Sequence, residues 1–164
     1  MANFITDLGN ALETAFKANT DLRVCFPDPA GGSAYAIEYD AQRLTFRPDI
    51  PSAFIRTNGR PRPIESYEGS ARSVFPFEAW FQVHDEKSKN ARLAQCLQGL
   101  ANVFTDNGVA ILDTHLTDNG SNRLNKSGEV RADIDVDPLD VVDPDRPIVR
   151  ATIEIECTHK TPLQ

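Results

Sequence analysis

The chain has 164 residues, 40% of them apolar, and its 17 Lys and Arg against 24 Asp and Glu give a net charge of −7. That length suits one domain around one core, and the composition is neither disordered nor membrane-like. An acidic total argues against nonspecific nucleic-acid binding by counterion release, and no run of about 18 apolar residues marks a membrane span.

The first element is an amphipathic helix. Phe4, Ile5, Leu8, Ala11, Leu12, Ala15 and Phe16 form one stripe at the helical period. Asn3 or Thr6 caps its start, and Asn19 and Thr20 end it. Leu22 to Phe26 reads as a strand stopped by Pro27 and Pro29. Ala34 to Tyr39 and Arg43 to Phe46 read as a hairpin around Asp40-Ala41-Gln42. Four prolines (Pro48, Pro51, Pro61 and Pro63) then predict a long loop over 47–72, with one short strand at Phe54–Thr57. This is the one locally basic stretch, with Arg47, Arg56, Arg60, Arg62 and Arg72.

Ser73 to His84 is the clearest strand. Phe75, Phe77, Ala79, Phe81 and Val83 alternate with a second face that carries Trp80. A second helix follows over roughly 89–106, capped by Asp85 or Ser88 and ended by Asn107-Gly108. Its buried stripe is Leu93, Leu97, Leu100, Ala101 and Phe104, helped by Ala94 and Cys96. Val109 to Leu116 reads as a strand, and 117–128 as a polar loop. Val130, Ala132, Ile134 and Val136 alternate with Arg131, Asp133, Asp135 and Asp137 in a half-exposed strand. A proline-rich loop over 137–148 precedes the last strand, Val149 to Thr158. The fold class predicted is α+β: a single two-layer domain over 1–164, with a mostly antiparallel or mixed sheet flanked by two helices and long loops at 47–72, 117–128 and 137–148.

Chemistry-bearing patterns are few. Asp133-x-Asp135-x-Asp137 resembles the start of a calcium loop, but Pro138 and Pro144 stand where that loop needs Gly and Glu. The alternation explains the aspartates as outward residues of a strand, and no metal or cofactor is expected. His84, His115 and His159 each fall at a predicted strand end, where they are able to meet in space, and lie in no metalloprotease spacing. No nucleophile elbow or glycine-rich phosphate loop is present, so no enzyme is predicted. Cys25, Cys96 and Cys157 are odd in number and widely spaced, and read as reduced core thiols rather than one disulfide plus a free thiol. The opening MANFITDLGN lacks a basic then apolar leader, so cytoplasmic synthesis is expected. Trp80 is either packed under its own chain or an interface anchor. Arg56, Arg60 and Arg62 are either a solvated loop or a cluster that docks on carboxylates.

Three stretches carry a resemblance: FITDLGNALETAF, VFPFEAWFQVHDEKSKNARLAQCLQGLANVF and RPIVRATIEIECTHKTP. In layout and length they resemble the tail terminator (tail completion, minor capsid) proteins of long-tailed bacteriophages. The resemblance implies an α+β subunit of the virion, made in the host cytoplasm and placed at the head–tail junction. Such subunits form a six-fold ring on the tail tube, end tail polymerisation and present a docking surface to the head-side connector. The implied partners are further copies of the chain, the tail tube protein and the head-side stopper or connector, with no membrane and no sequence-specific nucleic acid, though DNA passes through the ring. A ring of identical subunits needs two different patches. The candidates are the basic 56–62 and the acidic 133–145, with Trp80 as an anchor. The alternatives are a head–tail stopper or neck connector subunit, then a cation-assisted binding module using the aspartates.

Overall fold

The structure, a computed structural model, describes residues 4–86, 90–105, 123–124, 130–136, 143 and 145–161. Helix α1 (Phe4–Ala18) buries Phe4, Leu8, Ala11, Leu12, Ala15 and Phe16, the stripe expected apart from the half-buried Ile5. Thr6 lies inside it rather than capping it. Asn19 ends α1 and opens a second helix, α2 (Thr20–Cys25), where a strand was predicted. Its side-chain oxygen accepts the Leu22 N–H at 3.0 Å, and an N-cap of this kind favours helix over strand. Leu22 and Cys25, three residues apart, then face the core. Five residues are too few to display that period against an alternating one.

The sheet holds seven strands among the described residues: β1 (Ile37–Tyr39), β2 (Ser52–Thr57), β3 (Arg62–Tyr67), β4 (Ser70–Gln82), β5 (Arg123–Leu124), β6 (Val130–Val136) and β7 (Ile148–Lys160). Its backbone is the antiparallel β4–β7 ladder, in register from Ser70–Lys160 to Gln82–Ile148. On one side of β4 lie β2 and, further along, β3. On the far side of β7 lie β6 and β5. The predicted hairpin of 34–46 does not form. Only Ile37–Tyr39 is extended, and it pairs in parallel with Ala53–Ile55. The chain then turns at Asp40 and crosses back, with the Thr57 hydroxyl donating to the Ala41 carbonyl.

Within segment 47–72 the expected strand at Phe54–Thr57 is present, as Ser52–Thr57, and two further stretches, Arg62–Tyr67 and Ser70 onward, are strand where loop was expected. Arg62–Tyr67 and Ser70 onward form a hairpin around Glu68-Gly69, and Gly69, the second loop residue, takes a positive φ of 77°, which glycine adopts without steric cost. Pro63 is tolerated because β3 is an edge strand, with a register shift between Pro63 and Glu65.

Helix α3 (Ala91–Val103) joins α1 and α2 on one face of the sheet. Its buried line is Cys96, Gly99, Leu100 and Val103, with Leu93, Leu97 and Phe104 half-buried. Ala94 and Ala101, expected inside, are exposed. Gly99 is needed for a close approach, because an added Cβ would stand 2.9 Å from Asn19 Oδ1 and 3.1 Å from Leu22 Cγ. The helix start is held by Asp85. Its carboxylate accepts from Arg92 N at 3.1 Å and Leu93 N at 3.2 Å. Asn90, with φ at 73°, brings the chain into the helix without a side-chain cap of its own. Asp85→Ala is expected to lower stability by about 1 kcal/mol, with the loss concentrated in α3. Amide exchange of residues 91–95 against the rest of the chain measures it.

The core lies between these helices and the inner sheet face. Phe75, Phe77, Ala79 and Phe81 of β4 stand beside Ala151, Ile153 and Ile155 of β7, all buried. Phe4 meets Phe75 edge-on at 5.1 Å, and Phe16 meets Phe81 at 5.5 Å, tying α1 to β4 at both its ends. The fold is therefore α+β in two layers with a mixed sheet, as predicted, with three helices rather than two among the described residues. The predicted strand 109–116, Asn3, Ser88, Asn107-Gly108, His115 and Asp137 lie outside the described residues. So does most of 117–128 and of 137–148.

Candidate interaction surface

Alternation leaves the other sheet face to charged and aromatic side chains, and none of the three described helices packs on it. Register places them in rungs. One rung runs Phe54, Trp80, Arg150, Asp135 across β2, β4, β7 and β6. The next runs Arg56, Glu78, Thr152, Asp133. Phe46 returns over this face, its ring 5.2 Å from that of Phe54. Trp80 is half-buried, with the Arg150 guanidinium 5.3 Å from its ring centroid.

Glu78 is the centre of the arrangement. It is 8% exposed. Its Oε1 lies 3.2 Å from Arg56 Nε, and its Oε2 accepts from Arg150 Nη2 at 3.1 Å. The Arg56 contact is one of charge rather than an aligned hydrogen bond, since Nε has no partner of good geometry. Towards the β3 end, Arg62 meets Glu154 at 3.0 Å and Arg72 meets both Glu65 and Glu156.

These pairs alter the reading of the basic segment. Arg56 and Arg62 are not free cations of a solvated loop. Arg56 is on a strand and engaged by Glu78, and Arg62 opens β3 and engages Glu154. Arg60, between β2 and β3, is exposed. On the opposite sheet side Asp133 and Asp135 point outward from β6, exposed, with no ion-pair partner among the described residues. A shallow open depression of about 520 Å³ lies there, lined by Arg131, Ala132, Asp133, Thr152 and Glu154. Among the described residues no group of three or more His, Cys, Asp or Glu side chains converges as a metal site. No helix among them is long and apolar enough to cross a membrane.

The two described histidines do not meet. His159 pairs in register near Ala71 and His84 follows the other end of β4, so some 13 residues of strand separate them, roughly 43 Å. His159 Nε2 lies 2.8 Å from the Ser73 hydroxyl, a spacing that suits a nucleophile and its base. Both residues are buried, and the imidazole is packed against Phe4 and Phe75. The pair therefore serves as a satisfied polar contact within the core. His84 is held below the usual histidine range by burial and by the Arg146 charge, and its Nε2 is buried without a hydrogen-bond partner. Its depressed folded-state value means that the unfolded chain takes up a proton first on acidification. Stability contributed by neutral His84 is present above about pH 6.5 and is lost as pH falls through the folded value. His84→Gln is expected to flatten that part of the stability profile, measured by denaturant midpoints across the acid limb.

All three cysteines are free and buried. Burial pushes Cys25 up to about 11 and raises Cys96 and Cys157 as well, so the thiols are inert rather than nucleophilic.

Sequence reasoning passed over Glu78, Arg150, Phe54 and Glu154. The one signal available was Glu78 on the same strand face as Trp80, a carboxylate in a row otherwise free of acids.

No protein-family model matches the chain, and no curated protein matches it. Against solved structures, a match to a protein bearing no functional name covers 94% of this chain and 97% of the other, at 12% identity and a TM-score of 0.27. A superposition that loose supports no inference about fold or function.

Proposed function

We propose that the chain is a structural subunit of a bacteriophage tail, a ring-forming terminator that caps the tail tube and receives the head-side connector. The observation that carries this reading is the asymmetry of the sheet. One face is sealed under three helices, while the other is a broad, shallow field of Arg–Glu pairs around a half-buried Trp80. Trp and Arg are the residues that dominate protein–protein contacts, and here they stand together on a sheet face that no described helix covers. The layout of elements agrees with the three stretches that resemble tail terminators. In this reading the chain acts without a cofactor and without catalysis, on partners that are copies of itself, the tube and the connector.

Native mass spectrometry across a concentration series, with negative-stain images of the same samples and of samples mixed with tail tubes, tests the proposal. Discrete six-subunit rings with a central hole, or capped tube ends, are expected. A chain that stays monomeric at every concentration and also ignores tube ends overturns it. Rings that bind heads but not tubes reassign the subunit to the connector side of the junction.

A further inference from the structure

Resting on that ring reading, we propose that successive copies join across opposite sheet sides, with the acidic β6 strand of one copy seated against the arginine corner at the start of β3 of the next. The sheet order puts the two patches on opposite flanks. β3 lies beyond β4 and β6 lies beyond β7, three strand spacings apart, or roughly 14 Å. Among the described residues Arg60 forms no ion pair with Asp133 or Asp135. Those aspartates are exposed, and the neighbouring cation on their rung, Arg150, is turned to Glu78 instead. Arg60 is exposed, and Arg62 is held only by an exposed pair with Glu154, a contact that solvent keeps weak and exchangeable.

The chain thus carries two unpaired carboxylates on one flank, beside the exposed Arg131, and the exposed Arg60 on the other, with Arg62 drawn over β4 towards Glu154; a head-to-tail neighbour is able to satisfy both flanks. Exposed apolar side chains lie on both flanking strands, Ile64 at 44% exposure on β3 and Val136 at 41% at the end of β6, on the face opposite its aspartates. The joint is made by side chains rather than by extending the sheet. Pro61 and Pro63 have no N–H to donate to an incoming strand, and the irregularity at Pro63/Glu65 breaks the edge. A joint so built weakens with salt, because the Debye length falls from about 10 Å at 0.1 M to about 3 Å at 1 M.

The test is a charge swap read by native mass at matched concentration. Arg60→Glu/Arg62→Glu leaves one variant acidic on both flanks, and Asp133→Lys/Asp135→Lys leaves another basic on both. Each alone is expected to need at least about tenfold more protein to assemble than the unmodified chain. Mixed in equal amounts they are expected to assemble again, as rings in which the two variants alternate and the copy number is even. Thermal melts confirm that each variant is folded, and Arg60→Glu alone repeats the acidic arm without disturbing the Arg62–Glu154 pair. Rings of either variant at unmodified concentrations overturn the joint but leave the ring function standing, as does a failure of the mixture to alternate. An unmodified chain that is monomeric at every concentration overturns the joint. If it then also ignores tail-tube ends, the terminator reading falls with it.

Discussion

Replacing Phe81 by alanine is expected to lower stability by about 3–5 kcal/mol, the usual cost of emptying an aromatic site in a rigid core. Phe81 is fully buried at the point where the layers converge. Its ring lies 5.5 Å from Phe16 of α1 and 5.6 Å from Phe26 just after α2, while its strand neighbours are Ala53 of β2 and Val149 of β7. Small strand neighbours cannot swing in to refill the space. The helices cannot settle inward either, because Phe16 is also held by Phe104 at 5.8 Å. Chemical denaturation reads the loss as a lower midpoint at unchanged slope. Val74→Ala, a truncation of a half-buried residue on the outer sheet face, serves as the control and should cost much less. If Phe81→Ala cost no more than the control, the helices would not pack on the sheet as described.

How much of this was legible in the chain depends on the length of each pattern. β4 and β7 each run 13 residues and alternate over most of that length, and the α1 stripe spans three turns, so all three read directly, apart from Ser70–Arg72 of β4, which fell in the expected loop. Leu22–Phe26 did not, because its helix is set by the Asn19 cap and by packing on α3, neither visible in five residues. β1 was misassigned to a hairpin because its partner, β2, is parallel and lies beyond a long crossing segment. β3 was hidden by its prolines, which are compatible with an edge strand but read as loop when the neighbour is unknown. The interaction surface followed the same rule. Which arginine meets which glutamate is a matter of cross-strand register, and register emerges from the folded sheet rather than from any one segment. Arg56 and Arg62 cluster in sequence but engage different carboxylates, Glu78 and Glu154, on different strands.

Glu78→Ala is expected to cost about 1–2 kcal/mol, less than loss of a fully buried ion-pair partner, because Arg56 and Arg150 retain side-chain exposures of 28% and 41%. Its diagnostic is the sign of the salt dependence. In the unmodified chain the carboxylate attracts two guanidinium groups, so added salt screens attraction and weakens the fold. Without it, Arg56 and Arg150 repel across β4, and salt screens repulsion and strengthens the fold. Glu78→Gln preserves shape and removes charge, so it should share the reversed salt slope while losing less packing. Trp80 is the chain's single tryptophan, and Arg150 stands over its ring. Its emission should therefore shift in both variants as Arg150 is released. An unaltered salt slope with a full loss of stability would assign Glu78 a packing role alone. A reversed slope with altered Trp80 emission makes Glu78 the residue that holds Arg150 and Trp80 in the arrangement a docking partner meets, so that ring or tube binding should fall in Glu78→Gln even where the fold is intact.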